Sequence, residues 1–582
     1  MPSRRQFVRL FGVGGAAALA GCSARSLSDD RNGIDDWQYD PSDSGGNGNA
    51  SANGASAVTT EADDSIGLAA GGAADVETFR RNVSEGYLPV PESMAYEGLF
   101  HDYYFDTGGD GSCDSLFCPT HSAAVSPDPL SGEAERFLSV GLESGRSQSA
   151  FERPALNLVI VLDISGSMRS SFEEYYYDSY GNRKRAEGDT SRPKIDVAKE
   201  ALVDLTRQLR PEDRLGVVLF NTEAHVAKPL RSVDTTDMDA IREHIRADVE
   251  AGGGTSVSAG IESSEQLLAD YRSDGAADDS GPTADEYETR SILLTDAQIN
   301  AGETDADELR AGLEENAEAG HHMTVVGIGV DFNAELVDQL TRVRGANYYS
   351  VHSTDEFERR LGEEFEYMVT PLVYDLSLEL EADDYEVARV YGTTGADEGD
   401  GPVMHVHTLF PSPRTDGAAK GGVVLVQLER TDVGTDEVNG DDGNEDAANP
   451  VLRASWETRT GETRSTTERV TFPDDSAEMY DTDAVRKAIL LARYADLLKN
   501  WTIHERDETL VATDDGIADP PAPGRLGKWE QRSTPLTVSA RYAARLRTFR
   551  DHFATEAEAI GDEDLERELE LLTTILEADE RE

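Results

Sequence analysis

Between residues 154 and 370 short apolar runs alternate with stretches of helical spacing. The runs are Leu158 to Leu162, Leu215 to Phe220, Ser291 to Thr295, Met323 to Ile328 and Asn347 to Val351. Leu158 to Leu162 is too continuous for a half-exposed strand and reads as a strand buried on both faces, and the others read as further strands. Between them, Ile195, Ala198, Leu202, Leu205 and Leu209 line one helical face, and residues 236–249, 256–271, 305–319 and 333–343 read as further helices. Residues 225–233, interrupted by Pro229, read as a short edge strand, and Phe357, Leu361, Phe365 and Met368 mark a closing helix. Repeated strand–helix order predicts a doubly wound parallel sheet with right-handed crossovers, an α/β domain over 154–370.

On either side the period falls to two. Residues 136–143, 373–381, 403–409, 422–428 and 452–458 alternate apolar and polar positions, with Gly, Pro and Asp between them. That predicts an antiparallel β-sandwich over 371–475, to which residues 76–153 contribute. The α/β domain is then an insertion into the sandwich, since domain termini commonly lie close together. Residues 476–582 read as helical: Ala484 to Trp501, Pro535 to Ala559, and a last helix capped by Asp562 with Leu565, Leu569, Leu572 and Leu576 on one stripe. Acidic residues 432–449 read as a hairpin tip. His405 and His407 fall on one face of a strand, with no third ligand evident in the sequence.

The first 75 residues differ from the rest. Ser3-Arg4-Arg5-Gln6-Phe7 and the apolar stretch Leu10 to Ala20 resemble a twin-arginine export signal. Leu19-Ala20-Gly21-Cys22 resembles a lipobox, which implies lipidation at Cys22 and a signal peptide over 1–22. Residues 23–75 are rich in Gly, Ser, Ala and Asp and predict a disordered tether, with an r.m.s. span on the order of 40 Å. The expected location is the extracellular face of the membrane, reached by the lipid anchor alone. Cys113 and Cys118 are five apart, and in an exported chain they read as a disulfide. Free thiols and a metal clip with His121 are the alternatives.

Charge narrows the partners. The net charge is −61, from 114 acidic and 53 basic residues, and so large an excess repels nucleic acid and anionic lipid. The composition resembles proteins of salt-loving archaea, where salt screens such repulsion within a few Å.

The candidate chemistry lies where the first buried strand ends. After Leu158 to Leu162 the chain turns polar as Asp163-Ile-Ser165-Gly166-Ser167, one carboxylate and two hydroxyls at alternate positions. Ligands of open α/β sheets sit at the carboxyl ends of the strands, and hard cations take oxygen ligands. The simpler role for these residues is to cap the following helix. Asp163, Ser165 and Ser167, with Thr255 after Gly252-Gly253-Gly254 and Asp296 after Ser291 to Thr295, resemble the metal-ion-dependent adhesion site of the von Willebrand factor A domain family. The run Phe79 to Met94 resembles a lead-in found in lipoproteins of that family, here of haloarchaeal type. Two departures stand out. Ala297 follows Asp296 where the family has Gly, and residues 169–190 intervene before a helix that the family starts at once.

The resemblance implies that Asp163, Ser165, Ser167, Thr255 and Asp296 hold Mg²⁺, with Mn²⁺ or Ca²⁺ as alternatives. It also implies that a protein partner's Asp or Glu completes the shell. No His-Glu-x-x-His, Gly-x-Ser-x-Gly or phosphate-binding Gly-x-x-x-x-Gly-Lys run is present, so the reading is a binding protein and not an enzyme. The alternatives are a structural envelope lipoprotein with an inactive site and a metal-dependent hydrolase.

Overall fold

The computed structural model describes residues 33–40, 65–70, 76–106 except 85 and 90, 117–147, 151–170, 175–177, 183–185, 192–273, 287–296, 303–328, 343–351, 357, 359–381, 385–392, 403–415, 418–430, 451–470, 478–512 and 535–579. In chain order, β1 (Ser65–Ala70), α1 (Glu77–Ser84), β2 (Cys118–Pro127) and β3 (Ala134–Ser147) come first. The central domain follows with β4 (Ala155–Asp163), α2 (Lys194–Gln208), β5 (Arg214–Phe220), β6 (Ala224–Ser232), α3 (Met238–Ala247), α4 (Val257–Ser273), β7 (Tyr287–Thr295), α5 (Glu303–Glu318), β8 (His321–Ile328) and β9 (Asn347–Val351). After it come β10 (Val373–Glu381), β11 (Tyr385–Tyr391), β12 (Val403–Ser412), β13 (Val423–Arg430), β14 (Val451–Thr458) and β15 (Thr463–Arg469). Helices α6 (Asp483–Ala512), α7 (Ala540–Ile560) and α8 (Glu566–Asp579) end the chain.

The central sheet runs β9-β8-β7-β4-β5-β6, parallel throughout except for the antiparallel edge strand β6. Apolar runs such as Leu158 to Leu162 are buried on both sides because helices cover both faces. Leu158, Ile160 and Leu162 pack with Leu202 and Ile241 on one side, while Val159 and Val161 pack with Val257 and Ile261 on the other. Alternation along one strand thus feeds two cores, and β4 lies mid-sheet with its end pointing out of both.

The flanking strands form one ten-stranded antiparallel sheet whose main path is β11-β13-β3-β1-β12-β10-β14-β15, with β2 pairing along β3. Val140 of β3 pairs with Val424 of β13, so strands before and after the central domain share this sheet. The strands expected to form the sandwich belong to one continuous ladder and enclose a shared core. Phe117 stacks edge-on to Trp456 at 5.0 Å, and His121 Nδ1 lies 2.9 Å from Glu468, which ties the β2 side to β14 and β15. Leu138, Val140, Leu376, Val426 and Trp456 lie in the enclosed core.

Three expectations need correction. The stretch 23–75 is not a free tether throughout. Residues 33–40 lie along the β6 edge, where Gln38 N donates to Ala227 O (2.7 Å) and Asp36 Oδ2 faces buried Lys228 Nζ at 3.4 Å. Trp37 stacks on His244, and Tyr39 joins the domain core. Further on, β1 bridges β3 and β12. Apolar residues scattered among Gly and Asp are enough to dock short segments onto preformed edges.

The second correction concerns residues 76–106, which pack between the C-terminal helices and the antiparallel sheet, in a cluster that also holds Phe137, Tyr391 and Leu425. Phe79, Val83 and Leu99 join Val485, Leu491, Phe549 and Leu572. At the centre of that layer Glu568 is fully buried. It accepts from Arg80 Nη2 at 2.6 Å, Tyr494 Oη at 2.6 Å and Tyr103 Oη at 2.8 Å. The third correction is that the helix expected from Pro535 begins at Ala540. The preceding backbone is used elsewhere: Leu536 N donates to Gly86 O and Thr537 O accepts from Trp501 Nε1. Of the insertion after Ser167, residues 175–177 and 183–185 pair antiparallel.

Candidate functional site

Asp163 is the last residue of β4, and Asp296 immediately follows the neighbouring β7. The strands run in register, Leu162 opposite Leu294, so both carboxylates arrive at the same sheet edge. Asp163 Oδ1 accepts from Ser165 N (2.7 Å) and Oδ2 accepts from Thr295 Oγ1 (2.6 Å). Ser165 Oγ and Ser167 Oγ lie 2.9 Å apart, and Ser167 Oγ donates to Asp296 Oδ1 at 2.8 Å. A chain of hydrogen bonds therefore joins the two carboxylates, through the Ser165 backbone N–H at Asp163 and the Ser167 hydroxyl at Asp296.

A third segment closes against this turn. Gly252 N donates to Ile164 O (2.7 Å) and Gly166 N to Gly253 O (3.1 Å). A Cβ on Gly166 would stand 3.2 Å from that same oxygen, so glycine lets the loops touch. Gly253 has φ +89°, with Asn221 packed where its side chain would be. Thr255 follows on the loop, exposed, and its hydroxyl makes no hydrogen bond to the Asp163–Asp296 line among the described residues. Asp163, Ser165 and Asp296 are buried, whereas Ser167 and Thr255 are exposed. The group is thus rooted in the sheet and open on one side.

Its electrostatics are unbalanced. Burial pushes the Asp163 carboxyl up to about 6, against the hydrogen bonds from Thr295 and Ser165; nearby Asp296 adds to the rise. The cationic neighbour is Lys194, the first residue of α2, whose Nζ lies 3.0 Å from Asp296 Oδ2. Two carboxylates against one ammonium leave negative charge at a buried edge. The donor set is oxygen throughout, and a cation already sits against it, so these residues fit a hard divalent ion. Such an ion would be held by Asp163, Ser165, Ser167, Thr255 and Asp296.

Sequence reasoning missed Lys194 and Thr295. Thr295 directly precedes Asp296 and could have been found as the residue facing Asp163 across the strand pair. Lys194 is brought in only by where α2 starts after the insertion. Cys118 opens β2 and is disulfide-bonded. Arg4, Arg5, Cys22 and Cys113 lie outside the described residues, as do Ala297 and the acidic stretch 432–449.

An α/β domain with a parallel sheet and an acid–hydroxyl cluster at its carboxyl edge is the class of module defined by this geometry. Residues 158–298 match the family model described as von Willebrand factor type A domain, so this segment carries such a domain. The chain is similar to the uncharacterized protein YfbK of Escherichia coli (strain K12), 22% identical over 367 residues, covering 61% of this chain and 57% of that protein. It is similar also to inter-alpha-trypsin inhibitor heavy chain H4 of Bos taurus, 22% identical over 256 residues, 43% of this chain and 24% of that one. The chain thus spans little more than half of the first relative and a quarter of the second. Among solved structures, a von Willebrand factor type A protein from Catenulispora acidiphila aligns over 79% of this chain and 90% of its own, at 16% identity and a TM-score of 0.42.

Proposed function

We propose that this is a lipid-anchored binding protein of the outer cell surface that uses a Mg²⁺-dependent adhesion site to capture an acidic side chain of a protein partner. What carries the reading is that Asp163 and Asp296, from different strands, reach the same turn, Asp163 at the Ser165 N–H and Asp296 at the Ser167 hydroxyl. Bound there, the ion would supply Lewis acidity and an exchangeable coordination position. The chain's own residues hold it at the rim, with Ser167 and Thr255 facing solvent where a partner can approach. The surface anchor rests on the motifs at Arg4, Arg5 and Cys22. High salt suits the binding because it weakens repulsion between an acidic partner and this acidic chain.

The test is a pull-down from cell-envelope extract in high salt, with Mg²⁺ and then with EDTA. Capture is expected with Mg²⁺ and is lost in EDTA and with Asp163→Ala. Full capture in EDTA, or by Asp163→Ala, sinks the proposal. One observation favours a second reading, a structural envelope protein whose site is satisfied by its own lysine: the Lys194–Asp296 pair. No Mg²⁺ uptake by the wild-type chain would decide for it.

A further inference from the structure

A second group of ligating side chains stands far from the carboxyl edge, on the antiparallel sheet. His405 and His407 lie on one face of β12, their rings edge-to-face at 4.5 Å. The neighbouring strand β10 supplies Asp375, whose Oδ1 is 3.6 Å from His405 Nε2. One ligand atom from each of the three residues lies within 4.8 Å of the others. All three side chains are half-buried, so the group is reachable from solvent without being a loose surface cluster.

The backbone of Asp375 is special. It has φ +49° and is the one non-glycine with positive φ among the described residues. The ladder to β14 slips between Tyr374 and Ser377, while the ladder to β12 stays in step, with Tyr374 opposite Thr408 and Leu376 opposite Val406. A bulge on one side only re-aims a side chain without breaking the strand. Strained residues of this kind persist where something specific is gained from their placement. Arg344, from the loop before β9, holds Asp375 Oδ2 at 2.6 Å and also bonds Glu457. It thereby fixes the carboxylate with Oδ1 turned toward the imidazoles, as outer partners orient metal-binding carboxylates.

We propose that Asp375, His405 and His407 form a transition-metal site, selective for a Zn²⁺-like ion over Mg²⁺. Two imidazoles and one carboxylate on adjacent strands are a donor set for Zn²⁺, Ni²⁺ or Cu²⁺, not for a hard cation. Ligand atoms around a tetrahedral Zn²⁺ are about 3.3 Å apart, and the 3.6 Å between Asp375 and His405 is close to that. Small side-chain rotations bring in the third ligand. Three protein ligands leave a fourth position for water or for a group from another molecule. An ion here clamps β10 to β12 and, through Arg344, braces the central domain against the antiparallel sheet.

The experiment is a calorimetric titration of Zn²⁺ into the untagged chain, in high salt with excess Mg²⁺ to occupy carboxylate-only sites. One Zn²⁺ equivalent is expected, with Co²⁺ giving a tetrahedral absorption spectrum at the same stoichiometry. His405→Ala with His407→Ala removes that equivalent, Asp375→Asn weakens it at least about tenfold, and His121→Ala leaves it unchanged. Should the double variant fail to fold, imidazole NMR of the wild type serves instead, and only the His405 and His407 rings should shift with Zn²⁺. An equivalent that survives the double variant, Zn²⁺ uptake no greater than in that variant, or shifts confined to other histidines overturns the site.

Discussion

The two ends of strand β7 carry buried carboxylates in opposite circumstances. At its start, Glu288 accepts from His322 Nδ1 (2.7 Å), Arg290 Nη2 (3.1 Å) and Arg459 Nη2 (3.1 Å). Burial alone would raise that carboxyl, but His322 and the two guanidiniums bring it down to about 2. Just past its end, Asp296 with its neighbour Asp163 meets hydroxyls, backbone and one lysine. There burial prevails, and Asp163 is held up at about 6. The amino end of the sheet is closed in charge and serves the fold. The carboxyl end is left short of positive charge, which is what a cation site requires before its ion arrives.

The largest expected effect comes from opening the closed end. Glu288→Ala leaves Arg290 buried beside His322 without its carboxylate. The cost is about 3–5 kcal/mol by denaturant melts in high salt, with Mg²⁺ affinity unchanged. A loss under 1 kcal/mol would mean that Glu288 is not the hub of its end.

Next is pH, where the two ends have opposite signs. Glu288, lowered from 4.5 to about 2, contributes stability that is present above 4.5 and lost as pH falls through about 2. Asp163, raised from 3.8 to about 6, contributes stability that is present below 3.8 and lost as pH rises through about 6. That rise corresponds to about 3 kcal/mol. In chelator, Asp163→Asn should therefore be more stable than the wild type at pH 7, by up to that amount, with the gap gone at pH 4. A destabilised Asp163→Asn in chelator would contradict the imbalance.

The smallest effect is the lysine's. Lys194→Met removes the ammonium from Asp296 and should tighten Mg²⁺ on the order of fivefold in low salt and less in molar salt. Weaker Mg²⁺ binding would mean that Lys194 supports the ion and does not compete with it.

Much of the carboxyl end was legible in the sequence because its parts are local. The run Leu158 to Leu162 announces a buried strand, its break at Asp163 announces the edge, and Ser291 to Asp296 repeats the pattern. Strand pairing then does the rest, since neighbouring parallel strands must end together. The amino end was not legible. Glu288 follows an acidic stretch of sequence and resembles it, and Arg459 reaches it from just past β14, 171 residues away. Asp375 was hidden for the same reason, in a strand whose alternation gives no sign of a positive φ. The docking of residues 33–40 was missed because Trp37 and Tyr39 stand in a segment whose average composition is that of a tether. Composition averages over what a few side chains decide.

The central claim is that the carboxyl edge takes up a divalent ion. Calorimetric titration of Mg²⁺ into the chelator-treated chain, at pH 7 in high salt, tests it most directly. The account predicts one equivalent that disappears in both Asp163→Asn and Asp296→Asn. Heat that is the same in those variants as in the wild type would contradict it.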